Sequence, residues 1–306
     1  MKIASIVVTF NAMTNNWIEK CLQSLNKSDI HDIIIVDNNS ADDTCTYIKA
    51  KFPKAILVES NENLGFGKAN NIGLEIALKN NNDFFFLLNQ DAQTEKDTPV
   101  KLAKLMEQYP EFGVISPLHL NGKGTALDFG FAIQTGPNHC KDLYSDALLN
   151  KIKDRIYTTP FICAAAWMIS KKCLEKTGGF NPTFFHYGED TDYMLRLHFK
   201  GFKAGVYPFA KIYHDREQRD PEKNLYRFSL NKNLELIKYS QPKTRHNIEK
   251  DIKNFKIRKI ISLLKFKKKA ATEWDEKIKF LNANKKNILK NRTTAESHHP
   301  YPFLKT

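Results

Sequence analysis

Residues 1–91 alternate short apolar runs with polar or amphipathic stretches, and this order restricts the fold more than any other feature. The apolar runs are rich in β-branched and aromatic residues, which is typical of buried strands. The stretches between them carry apolar residues at helical spacing. This alternation predicts an α/β domain whose mostly parallel central sheet is flanked by helices. The runs are IASIVVTF at 3–10, DIIIVD at 32–37, AILVES at 55–60 and DFFFLL at 83–88.

Polar residues accompany three of these runs at the end where each strand meets its loop. In parallel sheets, ligands bind beyond the carboxyl ends of the strands. The alternative is that these side chains only form turns and helix caps. Three polar clusters at one sheet edge favour a binding site over that alternative. The clusters are Thr9-Phe10-Asn11, Asp37-Asn38-Asn39 and Asn89-Gln90-Asp91.

Asp91 and His214 are candidate metal ligands. Asp91 follows the fourth run, with Asn89 two positions before it, and oxygen ligands suit hard divalent cations that complete their shell with substrate phosphates. His214 ends a later predicted strand and would add a nitrogen ligand that suits Mn²⁺. The alternative is that His214 is a capped surface histidine. Asp37 is positioned to accept hydrogen bonds from the base or ribose of a nucleotide.

Three acids, Glu189, Asp190 and Asp192, occur within four residues of the aromatic stretch FFHYGEDTDYMLRLHF at 184–199. A helix N-terminus stabilises a charged carboxylate, whereas flanking aromatic rings raise its pKa by desolvation. A general base needs a pKa near the working pH, and we assign this role to Asp190. The alternative is that Glu189 and Asp192 cap the helix while Asp190 pairs with Arg196. We expect Asp192 to be structural, as the i,i+4 partner of Arg196.

The positive charge of the chain belongs to its C-terminal quarter. The net charge is +13, and residues 226–306 carry 21 Lys and Arg against 7 Asp and Glu. Residues 1–225 are nearly neutral, with 26 basic and 27 acidic residues. This break predicts a boundary near residue 225. We expect a catalytic domain at 1–225, with halves at 1–95 and 96–225, and a basic, mainly helical extension at 226–306.

The extension contains one segment with the pattern of a surface-binding helix. IRKIISLLKFKKK at 257–269 places Ile257, Ile260, Ile261 and Leu264 on one face, with lysines around it. This pattern is typical of a basic amphipathic helix on a membrane surface. The alternative is a helix that packs on its own domain and exposes a solvated basic face.

Several classes of protein are disfavoured by the sequence. The five cysteines are scattered and form no C-x-x-C pair, which argues against a disulfide framework or zinc cluster and favours a reducing cytosol. No apolar run reaches the length of a membrane span or resembles a signal peptide, so we expect a cytoplasmic protein that is peripheral to a membrane at most. No G-x-G-x-x-G follows the first strand, which disfavours a dehydrogenase. A nucleotidyltransferase and a basic nucleic-acid-binding protein stay open as alternatives, although no nucleic-acid-binding motif is recognisable.

Six segments in order carry a resemblance to a known family: VVTFN, IIIVDNNSADDT, NENLGFGKANNIGL, FFFLLNQDA, GGFNPTFFHYGEDTDYMLRLHFKGF and IYH. The set resembles the inverting family 2 glycosyltransferases, and among them the rhamnosyltransferase-like subgroup. The resemblance covers residues 1–216. It implies a GT-A fold, in which a nucleotide-sugar half precedes an acceptor half.

The resemblance also implies roles for individual residues. Asp190 would be the catalytic base, with Glu189 as its catalytic neighbour. Asp91 closes the metal motif, and His214 matches a late histidine that helps to bind metal or diphosphate. Many relatives have two acids in the metal motif and this chain has one, so the diphosphate would supply more of the coordination of Mn²⁺ or Mg²⁺. The nucleotide sugar would contact Thr9, Asn11, Asp37, Asn39, Lys68, Asn71 and Asn89.

The implied reaction is a single displacement that inverts the sugar. Asp190 would deprotonate a hydroxyl of a glycan or lipid-linked acceptor, which attacks a UDP- or dTDP-sugar. The divalent cation would offset the charge that grows on the leaving diphosphate. The family is typical of surface polysaccharide biosynthesis in the cell envelope. We expect no nucleic acid partner, and we expect residues 226–306 either to meet an anionic membrane surface or to pack on the catalytic domain.

Overall fold

A computed structural model describes residues 1–215 and 225–305 of the chain. A 3-10 turn at Thr14–Asn16 precedes the first helix. The strands in these residues are β1 (Ile3–Thr9), β2 (Asp32–Asp37), β3 (Ile56–Glu59), β4 (Phe84–Leu88), β5 (Ala92–Thr94), β6 (Phe112–Asn121), β7 (Tyr157–Thr159), β8 (Ala166–Ser170) and β9 (Lys203–His214). The helices are α1 (Trp17–Asn26), α2 (Thr44–Lys51), α3 (Phe66–Lys79), α4 (Thr98–Gln108), α5 (Phe129–Gln134), α6 (Lys141–Leu148), α7 (Lys171–Thr177), α8 (Glu189–Phe199), α9 (Leu225–Ser240), α10 (Ile248–Leu264) and α11 (Lys268–Glu296).

The first four strands form the parallel sheet that the sequence predicts. They lie in the order β3-β2-β1-β4, and every neighbouring pair is parallel. Alternate residues of β1 enter two different hydrophobic clusters, with Ala4 and Ile6 in one and Ile3 and Val7 in the other. Successive side chains of a strand point to opposite faces, so both faces of this sheet are buried. The predicted α/β fold with helices around a central sheet is confirmed.

The sheet is mixed beyond β4. Strand β8 pairs antiparallel with both β4 and β6, while β6 and β9 are parallel to each other. The short strands β5 and β7 add antiparallel pairs to β9. The prediction of a mostly parallel sheet therefore holds for the first half only. The consequence for the site is that β5 places the residues after β4 beside the end of β9.

Helices α9, α10 and α11 pack on the domain through a third hydrophobic cluster. Phe184, in the loop before α8, lies in this cluster with Leu236, Ile237 and Ile288. The amide of Asn233 donates to the carbonyl oxygens of His186 and Tyr187, at 3.0 and 2.5 Å. The extension therefore supports the loop before α8, and α8 is the helix that carries the three acids.

The last residues of the chain form a second contact with the domain. The amide of Tyr301 donates to the carbonyl of Glu175, and the amide of Gly179 donates to the carbonyl of Pro302. Gly178 has a φ of +79°, and a Cβ there would lie 1.9 Å from the oxygen of Pro302. Only glycine tolerates both this backbone conformation and this approach, so the terminal segment 300–305 lies directly against the end of α7.

Candidate functional site

A cleft of about 390 Å³ lies at the carboxyl ends of β1, β2 and β4. Ligands bind at this edge of α/β sheets, as the polar clusters of the sequence predict. The loop before α8 closes the cleft from the opposite half of the domain. The residues that line the cleft include Phe10, Asn38, Asn63, Gly65, Asn89, Gln90, Asp91, Tyr187, Glu189 and Asp190.

Asp37 is the centre of a buried hydrogen-bond network beneath the cleft. Its Oδ1 accepts from the hydroxyls of Thr9 at 2.8 Å and Ser40 at 2.6 Å, and its Oδ2 accepts from the amide of Ser40 at 2.8 Å. Asn11 reaches the same loop, since its Oδ1 accepts from the amide of Ala41. These contacts give Thr9, Asn11 and Asp37 the role of fixing the loop after β2. Their direct contact with a nucleotide stays a prediction.

Asn38 lines the cleft. The sequence places it in the polar cluster after β2 but gives it no predicted contact with the nucleotide sugar. Its Oδ1 accepts from the amide of Leu64 at 2.9 Å, and its Nδ2 donates to the carbonyl of Gly65 at 3.2 Å. A Cβ on Gly65 would lie 2.0 Å from the carbonyl oxygen of Phe185, so the two walls of the cleft are in contact at this point. The neighbouring Asn39 is exposed, with a φ of +64°. The side chain that holds the wall is therefore Asn38.

Lys68 and Asn71 lie on α3, outside the residues that line this cleft. Lys68 is exposed. Asn71 is buried, and its amide oxygen accepts from the amide of Phe180 at 2.7 Å while its nitrogen donates to the carbonyls of Phe180 and Phe303. Asn71 thus joins α3 to the C-terminal segment. The contact of Lys68 and Asn71 with nucleotide or sugar phosphates stays a prediction.

Asn89, Gln90 and Asp91 form the floor of the cleft. The side chain of Gln90 accepts from the amide of Phe10 at 2.7 Å and donates to its carbonyl at 3.1 Å, which ties the ends of β1 and β4 together. The amide of Asn89 donates to the carbonyl of Ala165. These contacts hold the backbone of the predicted metal motif rigidly against three strands.

His214 is fully buried between two carboxylates. Its Nε2 lies 3.2 Å from Oδ1 of Asp91, and its Nδ1 lies 3.4 Å from Oδ2 of Asp128. The alternative of a capped surface histidine is therefore wrong. Asp128 was not predicted from the sequence. It is the N-cap of α5, and its Oδ1 accepts from the amide of Phe131. A second buried histidine, His119, lies edge-on to His214 with the ring centroids 6.4 Å apart.

Asp91 and His214 bring a carboxylate and an imidazole together, and their binding of a divalent cation stays a prediction. Within residues 1–215 and 225–305, no group of three or more His, Cys, Asp or Glu forms a metal site alone. A carboxylate and an imidazole are the donors that suit Mn²⁺, and such ions take remaining ligands from phosphates and water. Asp91 lines the cleft, whereas His214 is fully buried and is not among the residues that line it.

Glu189 and Asp190 begin α8 and both line the cleft, but their environments differ. Glu189 is 5% exposed, and among the described residues its Oε2 has no hydrogen-bond partner. Desolvation by burial, and secondly the charge of Asp190, raise the pKa of Glu189 to about 8. Asp190 is half-buried, and its Oδ1 accepts from the amide of Thr191 at 2.7 Å. Burial therefore raises the pKa of Glu189, whereas the sequence predicts desolvation at the base Asp190.

Asp192 has the structural role that the sequence predicts. Its Oδ2 accepts from Nε of Arg196 at 2.7 Å, and both side chains are buried. Nη1 of Arg196 donates to the carbonyl of Thr177, and its guanidinium lies 4.9 Å from the ring of Phe303. The alternative pairing of Asp190 with Arg196 is wrong, because the buried guanidinium is bonded to Asp192. The ion pair fixes α8 and leaves Asp190 at the cleft.

Comparison with known proteins identifies relatives of more than half of this chain. The profile of Glycosyl transferase family 2 matches residues 5–178, more than half of the chain. A curated relative, N-acetylglucosaminyl-diphospho-decaprenol L-rhamnosyltransferase of Mycobacterium tuberculosis, is 22% identical over 215 residues, which are 63% of this chain and 70% of that protein.

Solved structures share the fold at low identity. The crystal structure of S. aureus TarS superposes with a TM-score of 0.53 and 18% sequence identity. The match covers 70% of this chain and 37% of the TarS chain. The mannosyltransferase PcManGT of Pyrobaculum calidifontis was solved in complex with GDP-Man and Mn²⁺, and its TM-score is 0.54 at 19% sequence identity. That match covers 76% of this chain and 61% of the PcManGT chain. The fold is thus of the GT-A type. No helix in the described ranges combines the length and apolar character that a membrane span needs.

Proposed function

Because this chain belongs to glycosyl transferase family 2, we propose that it transfers a sugar from a nucleotide diphosphate to an acceptor hydroxyl with inversion. The observation that carries this proposal is one cleft lined by both Asp91 and Asp190. Asp91 would lie at the diphosphate end of a bound donor. Asp190 would deprotonate the acceptor hydroxyl. Donors with UDP or dTDP are proposed.

Asp190 is the proposed general base. It takes the proton of the acceptor hydroxyl, the oxygen forms a bond to the anomeric carbon, and the bond from that carbon to the diphosphate oxygen breaks with its electron pair. Glu189 is mostly protonated at neutral pH because its pKa is about 8. The proton on Glu189 removes a competing negative charge beside Asp190.

Asp91 and His214 are the residues proposed to hold Mn²⁺ or Mg²⁺. A cation held there would supply positive charge against the growing charge of the leaving diphosphate. Asp128 orients His214 from the opposite side of the ring, at 3.4 Å from Nδ1. The relative PcManGT was solved with GDP-Man and Mn²⁺, which supports the same dependence for this chain.

The proposed acceptor is a glycan or a lipid-linked diphospho-sugar. This proposal is supported by the name of the mycobacterial relative, which specifies a diphospho-decaprenol acceptor. An acceptor of this kind is held at a membrane surface. We therefore propose a cytoplasmic enzyme of surface polysaccharide synthesis that works at the inner face of the membrane, with residues 226–306 as the part that meets it.

Calorimetric titration with UDP, dTDP, GDP and NAD, each with and without Mn²⁺, tests the proposal. Tight binding of UDP or dTDP that requires Mn²⁺ is the expected result. Binding of NAD alone, or of none of the four, would overturn the transferase proposal. Release of free UDP or dTDP from the matching nucleotide sugar in the presence of a lipid-linked acceptor then tests the reaction itself.

A further inference from the structure

Helix α10 has two apolar faces, and the described residues, 1–215 and 225–305, cover one of them. On the covered face, Ile252 is buried and Phe255 stacks on Trp274 of α11, with ring centroids 5.2 Å apart and planes at 25°. Ser262 is buried on the same side. Two ion pairs, Lys259–Asp275 and Lys285–Glu249, each at 2.6 Å, hold the two helices together. The pair of helices is therefore a firmly packed hairpin.

The second apolar face points away from α11. Ile257, Ile260, Ile261 and Leu264 follow one another at i, i+3, i+4 and i+7, which places them on one side of the helix. Their exposed fractions lie between 45 and 74%, and Phe266, in the turn after the helix, is 90% exposed. Soluble surfaces rarely carry a contiguous apolar patch of this kind without a partner. We call these five residues the docking face.

Basic residues surround the docking face. Lys256 and Arg258 flank Ile257 on either side, about 100° away around the helix. Both are exposed. Residues 250–269 contain nine Lys or Arg and one acid. Four exposed lysines lie in the turn after α10 and at the start of α11, at Lys265, Lys267, Lys268 and Lys269. We call them the turn lysines. None of them forms an ion pair with another described residue.

This charge decides between the occupants of the docking face. A second copy of the chain would bring the same excess of positive charge against itself, which opposes association. A nucleic acid would pair with the lysines but would leave the apolar side chains in water. An anionic lipid surface satisfies both features, because its headgroups attract lysine and its acyl region accepts apolar side chains.

We propose that the docking face binds the surface of an anionic bilayer, with the turn lysines among the headgroups. Ile252, at the packed end of α10, is twelve residues before Leu264, so the docking face extends about 18 Å beyond it. Ile248 and Ile252 of α10 share a hydrophobic cluster with Phe184, in the loop before α8, the helix that begins with Glu189 and Asp190. The hairpin would hold the cleft toward the membrane, and this orienting role rests on the proposed function, whereas lipid binding itself does not.

Vesicle flotation of the full chain at about 0.15 M salt tests the proposal. The wild type is mixed with vesicles of phosphatidylcholine alone or with phosphatidylglycerol added, without any nucleotide sugar. The charge variant carries Lys267→Glu, Lys268→Glu and Lys269→Glu. Its matched control replaces three exposed lysines of the catalytic domain, as Lys20→Glu, Lys51→Glu and Lys54→Glu.

We expect the wild type and the control to float only with the phosphatidylglycerol vesicles, and the charge variant to bind at least about tenfold more weakly. A second variant with Ile257→Ser, Ile261→Ser and Leu264→Ser should also lose binding, and circular dichroism should show an unchanged helix content because these positions are exposed. Equal flotation of all variants, or no flotation of the wild type, would overturn the proposal.

Light scattering provides the remaining arm of the test. A wild-type dimer that the serine variant converts to a monomer would assign the docking face to a second copy and overturn the proposal. A monomer in both proteins, together with lipid-dependent flotation of the wild type, supports it. Lipid binding without any transferase activity would leave this proposal standing and would remove the proposed function.

Discussion

Nε2 of His214 lies 3.2 Å from Oδ1 of Asp91, although the two residues are 123 positions apart in the chain. Strand β5 creates this contact, since its first residue, Ala92, pairs with His214 across the antiparallel edge of the sheet. Asp128 approaches the other side of the imidazole. The cleft at the ends of β1, β2 and β4 is therefore supported at Asp91 by β9, the last described strand along the chain.

Replacement of Asp91 should remove the metal dependence of nucleotide binding. Asp91→Asn is expected to weaken the Mn²⁺-dependent binding of UDP or dTDP at least about tenfold, because it removes the one carboxylate of the floor. Binding without Mn²⁺ should not change. Calorimetry in the presence of Mn²⁺ or EDTA measures both quantities. Asp29→Asn, at an exposed position, is the control, and an equal effect of Mn²⁺ on all three proteins would contradict the assignment.

Replacement of Asp190 should affect the reaction and not the binding of the donor. Asp190→Asn is expected to lower kcat by roughly 10² to 10⁴, the usual contribution of a general base. The Kd for the nucleotide should stay within about twofold, because the base acts on the acceptor. Steady-state transfer assays and calorimetry measure the two effects. A variant with near wild-type turnover would sink the assignment of Asp190 as the base.

The buried carboxyl of Glu189 should make stability depend on pH. Its native pKa is about 8, whereas the unfolded value is near 4.3. A raised native pKa contributes stability that is complete below the unfolded pKa and is lost as the pH rises through the native pKa. From about pH 5 to 8, the wild type should therefore lose stability relative to Glu189→Gln, by on the order of 3 kcal/mol.

Urea denaturation at both pH values measures the difference for Glu189. Glu62→Gln, at an exposed position, should follow the wild type at each pH. Parallel stability profiles for Glu189→Gln and the wild type would show that the carboxyl is not held in the protonated state.

The ion pair of Asp192 and Arg196 should contribute far more to stability than a surface pair of similar geometry. Asp192→Asn leaves the buried guanidinium without its charge partner, which costs about 3 kcal/mol of unfolding free energy. The control pair, Asp97 and Lys101, has the same spacing and the same 2.7 Å distance but is exposed. Asp97→Asn should cost less than about 1 kcal/mol. Similar losses in the two variants would show that burial is not the deciding factor.

Gly178 and Gly201 form a matched pair that tests the contact of the C-terminal segment. Both have positive φ, +79° and +85°, but a Cβ on Gly178 meets Pro302 while a Cβ on Gly201 meets nothing within 4 Å. Alanine introduces backbone strain at both sites, because both φ values are positive. Gly178→Ala should cost about 2 kcal/mol more, because it also displaces the segment. Urea unfolding measures this, and faster proteolysis near residue 300 in Gly178→Ala alone would locate the change.

The sequence by itself determined the elements that depend on local spacing. The period of apolar residues specified the first four strands, and the helical spacing of Ile18, Cys21, Leu22 and Leu25 specified α1, whose buried residues are these four. The i,i+4 spacing specified the pair of Asp192 and Arg196. These features follow from the repeat of a strand or a helix, which the order of residues contains.

Only the tertiary structure decided which of two adjacent acids is desolvated. Glu189 and Asp190 have the same neighbours in the sequence, yet the packing of the domain buries the first and leaves the second at the cleft. It likewise decided that His214 is enclosed by Asp91 and Asp128, and that α10 keeps one apolar face uncovered. Burial and charge environment depend on contacts between distant residues, and local periodicity carries no information about those contacts.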